Sequence, residues 1–331
     1  MRNPFRSFWL PSIPVLIILL SKGCSHRLAN EHSASILPVA YSPSGRLLAS
    51  GSHDTAVRIS SGDQPTHVLN GRSGAVLSIC FSDDECLLAS GSQDGVITLW
   101  DLKSDLSQQL LPSKYGPVWS VSFSRGGVLL VSGHDDGSIT IWDVGSRQQI
   151  TSIRLEHTVR AVRFSPSGET FASAGDDTAI SLFSVTNAAL LRQLNGHKSA
   201  VGGIAFSPDA RVLASVGGTL TAESTNRFGE IRLWNLSTYE EIWNNVSHTD
   251  GVRTVEFSPS GDLFATGSID GTVRLWNVQN GTEELEIRIG TPVWSLSFSP
   301  DGKNIAVGCA SSRRIRIYDV ESGNERSSRD P

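Results

Sequence analysis

The feature that most constrains this chain is a pattern that recurs about every 41 residues. Its marker is an aromatic residue directly followed by serine, which occurs at Tyr41, Phe81, Phe123, Phe164, Phe206, Phe257 and Phe298. Successive markers are 40, 42, 41, 42, 51 and 41 residues apart. A unit of this length cannot bury its apolar face alone, so its copies must pack against each other. The sequence therefore predicts one domain built from seven structural repeats.

The sixth copy, residues 252–277, shows what one repeat contains. Two short apolar runs flank residues 258–262, whose Pro and Gly favour a chain reversal. Asp270 and Gly271 then favour a tight hairpin, because an Asp-Gly pair supplies the positive φ angles that such a turn requires. Apolar and polar side chains alternate along residues 272–276. One copy therefore predicts three strands joined by two turns.

A β-bulge is expected near the start of each repeat. Val252 and Val255 are both apolar but lie three residues apart, and a period of two cannot place both on one face. One extra residue near Arg253 would do so, because a bulge re-aims the side chains around it. The equivalent position lies four residues before each marker, at Leu37, Leu77, Trp119, Arg160, Gly202, Arg253 and Trp294.

The end of each repeat identifies a known family. The position that Trp276 occupies in the sixth copy is filled in the other copies by Ser60, Trp100, Trp142, Phe183, Trp234 and Tyr318. A repeat near 40 residues that ends in Trp-Asp or Trp-Asn resembles the WD-repeat (WD40) β-propeller family. The resemblance implies an all-β, seven-bladed β-propeller of four-stranded antiparallel blades. Its repeats would lie near residues 34–61, 73–102, 115–144, 157–185, 197–236, 248–278 and 290–320.

The N-terminal segment, residues 1–23, differs from everything that follows. Arg2 and Arg6 precede an apolar run of 13 residues, 8–20, which is shorter than the roughly 20 residues of a membrane span. This layout predicts a signal peptide or an N-terminal hydrophobic anchor, and hence an exported or membrane-anchored protein. The alternative is a cytoplasmic protein, and any membrane contact would be made through this segment.

Closure of the ring predicts a role for the residues that follow this segment. Residues 24–320 are assigned to the propeller, and residues 321–331 form a polar tail without a strand pattern. The seventh blade therefore lacks an outer strand at the C-terminus. We expect residues 23–29 to supply it, so that an N-terminal strand closes the propeller and removes two free sheet edges.

Composition narrows the functional classes. The net charge is −5 and the chain has no run of Lys and Arg, so no nucleic acid is expected as a partner. The four cysteines, Cys24, Cys80, Cys86 and Cys309, lack the spacing of a metal site, so neither a metal nor another cofactor is expected.

A Ser, His and Asp combination recurs in the repeats. His248, Thr266, Asp270 and Trp276 match the structural hydrogen-bond tetrad of the family position by position. Partial sets occur as His32, Ser50 and Asp54; Ser90, Asp94 and Trp100; Ser132, Asp136 and Trp142; His157, Ser173 and Asp177; and His197, Ser215 and Trp234. A catalytic triad is needed only once, whereas this set recurs blade after blade. We therefore assign it a structural role and predict that the protein is not an enzyme.

The bulge positions are the candidate binding residues. In the family they face the rim of the central channel, on the face that carries the hairpins between second and third strands, here called the top face. Trp119, Arg160, Arg253 and Trp294 are of the types enriched in interface hot spots. The residues before the tetrad Asp face the same rim and include His53, Gln93, Asp135 and Asp176.

These residues predict a non-catalytic platform that binds a protein or peptide, with an acidic-plus-apolar segment docking on the top face. The insertion at residues 217–229 is expected on that face. One alternative is that Trp119 and Trp294 pack between blades. Another is a propeller enzyme or a small-ligand binder, which would need several inward-facing His, Asp or Glu residues at one level of the channel. The channel-side residues considered, such as 75–78, are mostly small or apolar.

Overall fold

The computed structural model describes residues 31–61, 64–70, 74–104, 106, 108–218 and 228–326. These residues form 27 β-strands in seven separate antiparallel sheets, which we call blades one to seven in chain order. Within the described ranges, no helix has the length and apolar character needed to cross a membrane.

The strands follow one another within each blade. Blade one contains β1 (Ile36–Tyr41), β2 (Leu48–Ser52), β3 (Ala56–Ser61) and β4 (Gln64–Asn70). Blade two contains β5 (Val76–Phe81), β6 (Leu87–Ser92), β7 (Val96–Asp101) and β8 (Gln108–Pro112). Blade three contains β9 (Val118–Phe123), β10 (Leu129–His134), β11 (Ser138–Asp143) and β12 (Gln148–Arg154). Blade four contains β13 (Val159–Phe164), β14 (Thr170–Gly175), β15 (Ala179–Ser184) and β16 (Leu190–Asn195).

The remaining three blades have the same order. Blade five contains β17 (Val201–Phe206), β18 (Val212–Gly218), β19 (Gly229–Asn235) and β20 (Glu241–His248). Blade six contains β21 (Val252–Phe257), β22 (Leu263–Ser268), β23 (Thr272–Asn277) and β24 (Glu283–Arg288). Blade seven contains β25 (Val293–Phe298), β26 (Asn304–Cys309) and β27 (Arg316–Asp319).

The blades form a closed ring. The first strand of each blade contacts the first strands of both neighbouring blades, and β1 contacts β25 to complete the circle. The all-β, seven-bladed propeller predicted from the repeat is therefore confirmed. Residues 23–29, expected to add a closing strand, lie outside the described residues, as do residues 1–22 and most of the 217–229 insertion.

The C-terminal tail pairs with the last blade. Glu325 forms an antiparallel bridge with Tyr318 of β27, and the Arg326 backbone N–H donates to the Ile317 carbonyl at 2.8 Å. The opposite edge of β27 is paired with β26, so this bridge lies at the outer edge of blade seven. Blade seven thus has three strands among the described residues and no outer strand after Val320, while the tail adds an isolated bridge that the sequence did not predict. A sequence pattern does not reveal such a short bridge, because one pair of residues has no periodicity.

The apolar core consists of one cluster between each pair of neighbouring blades. The residue at the Trp276 position packs against the preceding blade; Trp276 itself stacks on Phe264 at a centroid distance of 6.2 Å and lies in the cluster between blades five and six. Ser60 replaces this aromatic residue in blade one. The buried cluster between blades seven and one is accordingly small, with only Ile36, Val39, Leu48 and Ala306.

A register shift occurs in the first strand of all seven blades. In blade six, Val252 pairs with Ser268 and Thr254 with Gly267, which leaves Arg253 as the extra residue. The predicted bulges are thus confirmed. Because the bulge adds one residue, the apolar side chains on both sides of it remain in the core while the bulged side chain is re-aimed.

Candidate partner-binding site

The tetrad of blade six is a connected hydrogen-bond network inside the sheet. The His248 ring is bonded through Nδ1 to Asp270 at 2.9 Å and through Nε2 to the Thr266 hydroxyl at 2.8 Å. Trp276 donates its Nε1–H to the same hydroxyl at 2.9 Å. Burial alone would raise the pKa of Asp270, but hydrogen bonds from His248 and Thr272 outweigh it and hold the pKa well below its ordinary value. The network satisfies buried polar groups, and it ties the hairpin at Asp270 to His248 at the end of β20, the outer strand of blade five.

Blades one and five build the same network with different residues. In blade one, His32 is bonded to the Ser50 hydroxyl at 2.9 Å. The Asp54 carboxylate is hydrogen-bonded both to His32 and to the Arg58 guanidinium.

In blade five the carboxylate comes from Glu230, at the beginning of β19. It bonds to His197 Nδ1 at 3.2 Å, while Ser215 bonds to His197 and accepts from Trp234. The sequence suggested no acid here, because the insertion separates Glu230 from the usual position.

Three of the partial sets are not completed as expected. In blade two, Trp100 donates to Ser90 at 3.0 Å, while Asp94 bonds to the Val96 backbone N–H within its own turn. In blade three, Ser132 accepts from Trp142 at 3.0 Å, and its imidazole partner is His134, two residues further along the same strand.

The acid of the blade three set is also used elsewhere. Asp136 pairs with Arg154 at 2.6 Å instead of with a histidine.

In blade four, His157 is exposed, and the buried Ser173 hydroxyl has no partner among the described residues. His157 and Asp177 interact electrostatically, but Ser173 does not bond to either of them among the described residues.

The rim residues form two Trp–Arg pairs, each made by neighbouring blades. Arg160 of blade four lies over the Trp119 ring of blade three, with 5.3 Å between the guanidinium carbon and the ring centroid. Arg253 of blade six lies over the Trp294 ring of blade seven at 5.1 Å. Both indoles are half-buried. The bulge positions of four blades thus lie around one opening. They form two cation–π pairs, one on each side of that opening.

Two carboxylates hold the first pair in place. Trp119 donates its Nε1–H to Asp135 at 2.9 Å, and Arg160 binds Asp176 through Nε and, at 3.1 Å, through Nη2. Burial and the nearby Arg160 cation lower the pKa of Arg253 to about 10. Arg160, Arg253 and Asp176 therefore interact electrostatically at the same rim.

The rim surrounds a cavity of about 450 Å³ at the mouth of the central channel. His53, Gln93 and all four Trp and Arg side chains line it, together with Arg163. Among the described residues that line it, none is Asp or Glu; Asp135 and Asp176 bind the lining residues Trp119 and Arg160. The cavity is therefore bordered by aromatic rings and cations.

Sequence reasoning missed a group of ionisable residues inside the channel. They occupy the position directly before the marker aromatic, where Cys80, Arg163 and Glu256 stand in blades two, four and six. Arg163 interacts electrostatically with both of the others, although none of these blades are neighbours. Arg163 lines the cavity, and Cys80 and Glu256 lie within electrostatic range of it. Strand alternation places these residues on the side of the blade opposite to the marker, but it does not predict that charged groups there interact across blades that are not neighbours.

Burial changes the ionisation of this group. It raises the pKa of Glu256 to about 8, against a partial lowering by the Phe298 backbone and Arg163. It also raises the pKa of the Cys80 thiol to about 12. At neutral pH the carboxyl and the thiol are therefore both protonated, and Arg163 carries the charge at this level.

The seven repeats match the family model described as "WD domain, G-beta repeat". The matched segments are residues 23–59, 63–101, 107–143, 148–184, 188–220, 240–277 and 286–319.

Individual proteins match about half of the chain. It is 28% identical over 176 residues to the U3 small nucleolar RNA-associated protein 15 homolog of Xenopus tropicalis, covering 53% of this chain and 32% of that protein. It is 26% identical over 166 residues to Protein groucho of Drosophila melanogaster, covering 50% and 22%. It is 30% identical over 174 residues to Protein hir1 of Schizosaccharomyces pombe, covering 45% and 18%. The chain thus spans a third or less of the length of these relatives.

Proposed function

Because the chain belongs to the WD-repeat family, we propose that it is a non-catalytic interaction platform that binds a protein or peptide on the top face of its propeller. The observation that carries the proposal is the arrangement of Trp119, Arg160, Arg253 and Trp294 around one cavity. Fold alone would not identify a binding face, since many functions share this scaffold.

The aromatic part of the site favours an apolar segment of the partner. Trp119 and Trp294 are half-buried, so each indole keeps accessible ring surface beside the cavity. Covering Trp and Arg side chains at the centre of an interface contributes much of the binding energy in typical complexes. Since the rings are already held by Asp135 and the stacked guanidinium groups, little ordering is required on binding.

The charges favour an acidic segment. Arg160, Arg163 and Arg253 line the cavity, and Asp135 and Asp176 are bonded to Trp119 and Arg160 at its rim. An acidic-plus-apolar segment complements this surface in charge and in polarity.

The test is capture of partners from the native source by the full chain and by an Arg160→Glu, Arg253→Glu double variant. The double variant should lose the captured proteins, because it places two negative charges at the cavity. Arg125→Glu with Arg211→Glu is the matched control, since both side chains are exposed at turns between first and second strands. Circular dichroism melts show whether each variant is folded. Undiminished capture by the folded double variant would contradict the proposal.

The alternative is a small-ligand binder that uses the channel, and the level formed by Cys80, Arg163 and Glu256 favours it. The two candidates differ in one measurement. A small-ligand binder would retain its ligand when the rim residues Trp119 and Trp294 are replaced by Ala, whereas a platform would lose its protein partner.

A further inference from the structure

Arg160, the rim arginine that first suggests itself as an anion site, is already engaged. Its Nε and Nη2 both bind the Asp176 carboxylate, and its face covers Trp119. A two-bond pair of this kind uses the edge of the guanidinium that would otherwise receive a carboxylate of a partner. An incoming acid would therefore meet a guanidinium whose charge Asp176 already balances.

Arg163 differs from Arg160 in its partners. It binds only neutral oxygens, the Ser120 hydroxyl at 3.1 Å and the Val162 carbonyl at 2.9 Å, and both bonds use Nη1. In the part of the chain that the structure describes, no carboxylate lies within 4.0 Å of it and neither Nε nor Nη2 makes a hydrogen bond. The side chain is exposed to the channel although protein surrounds it. It therefore presents a charged edge that a ligand can reach.

Glu256, the acid that interacts electrostatically with Arg163, does not neutralise the positive charge of Arg163. Glu256 stands on the first strand of blade six and is protonated at neutral pH, because burial raises its pKa to about 8. A protonated carboxyl keeps one O–H to donate. The positive charge of Arg163 is therefore left for a ligand in the cavity that Arg163 lines.

We propose that the channel is a carboxylate-binding site in which Arg163 holds an acidic group that the partner inserts from the top face. The proposal rests on the function proposed above and deepens it: Trp119 and Trp294 bind the apolar residues at the rim, and the acidic residue reaches past them to Arg163. The cavity is lined by the rim residues and by Arg163, and its volume of about 450 Å³ is within the usual range of ligand pockets. It admits a side chain or a chain end and excludes a folded domain.

The direct test uses blocked glutamate, N-acetyl-glutamate N-methylamide, as a probe of the carboxylate. The arginine Nε–Hε signals of the full chain are followed by NMR during titration. We expect a saturable shift of the signal that disappears in Arg163→Met, and none with blocked glutamine, which has the same shape without the charge. N-acetyl-glycine in a second titration distinguishes a chain terminus from an acidic side chain, and either one binding at Arg163 supports the site.

Variants locate the site within the cavity. Arg163→Met should weaken blocked glutamate at least about tenfold, since one bond to a charged group contributes that much or more. Arg163→Lys should restore part of the affinity, and Arg211→Met, an exposed arginine far from the cavity, should change nothing. A shift that survives Arg163→Met, equal binding of blocked glutamine, or no saturable shift would overturn the inference.

Partner capture separates this inference from the proposed function. Capture that is lost in Arg160→Glu, Arg253→Glu but retained in a folded Arg163→Met chain would overturn the channel site and leave the platform intact. Capture retained in both would overturn the platform itself. Loss in both, with Arg163→Met still folded by its melt, supports both proposals.

Discussion

Asp270→Ala should destabilise the propeller by about 2–4 kcal/mol. The carboxylate accepts four hydrogen bonds: from His248 Nδ1 at 2.9 Å, from the backbone of Thr249 at 3.1 Å, and from the backbone and hydroxyl of Thr272 at 2.9 and 2.7 Å. The His248 side chain is fully buried, so no water replaces the carboxylate, and the Thr272 hydroxyl, 3.1 Å from Nδ1, is a neutral and weaker acceptor. Thr249 and Thr272 can reach solvent. One unsatisfied buried donor costs about 1–3 kcal/mol, and the two threonines add a smaller loss.

The pH dependence gives this prediction a second check. The folded-state pKa of Asp270 lies below its ordinary value of 3.8, so its contribution is complete above pH 3.8 and is lost as the pH falls further. The stability difference between wild type and Asp270→Ala should therefore shrink in acid.

The assay is urea unfolding followed by tryptophan fluorescence, with equal m-values required before midpoints are compared. Asp262→Ala is the matched control, because Asp262 is an exposed acid in the same blade, and it should change the free energy of unfolding by less than about 0.5 kcal/mol. Asp270→Asn keeps the side-chain volume and should give an intermediate loss. If Asp270→Ala is as stable as Asp262→Ala at pH 7, or if its deficit does not change with pH, the structural role of the network is refuted.

Three further predictions concern features that only the folded chain displays. Glu230→Ala should lower the free energy of unfolding in urea by about 2–4 kcal/mol, because it leaves the buried His197 without its acceptor. A loss below about 0.5 kcal/mol would contradict the role of Glu230 as the acid of the blade five network. The free energy of unfolding of the wild type should fall between pH 4.5 and about 8, because the raised carboxyl pKa of Glu256 favours the folded state at low pH and that advantage is lost as the pH rises. In Glu256→Gln this fall should be smaller, and identical pH profiles of the two proteins would refute the prediction. A chain ending at Gly323 should melt below one ending at Arg326, because it lacks the Glu325 bridge and its ion pair with Arg316, and equal melting temperatures would show that the bridge does not stabilise blade seven.

The sequence by itself determined the architecture, because the information for it is local. The spacing of aromatic and serine residues, the Asp-Gly hairpins and the Val252 to Val255 interval each describe one repeat, and one repeat describes all seven. Strand order, bulge position and the gathering of four bulge residues at one rim follow from copying that unit around a ring. The complete tetrad of blade six could be named for the same reason.

The tertiary structure decided the contacts that cross from one repeat to another or depart from the repeat. Glu230 bonds to His197 because β19, which follows the insertion, places Glu230 beside that ring. Asp176 binds the Arg160 guanidinium through a side-chain geometry that the residue spacing does not specify. Arg163 and Glu256 lie 93 residues apart on blades that are not neighbours, and they interact electrostatically because the ring brings the first strands of these blades around one channel. Their unusual ionisation arises from burial inside the channel, which is a property of the assembled ring and of no single repeat.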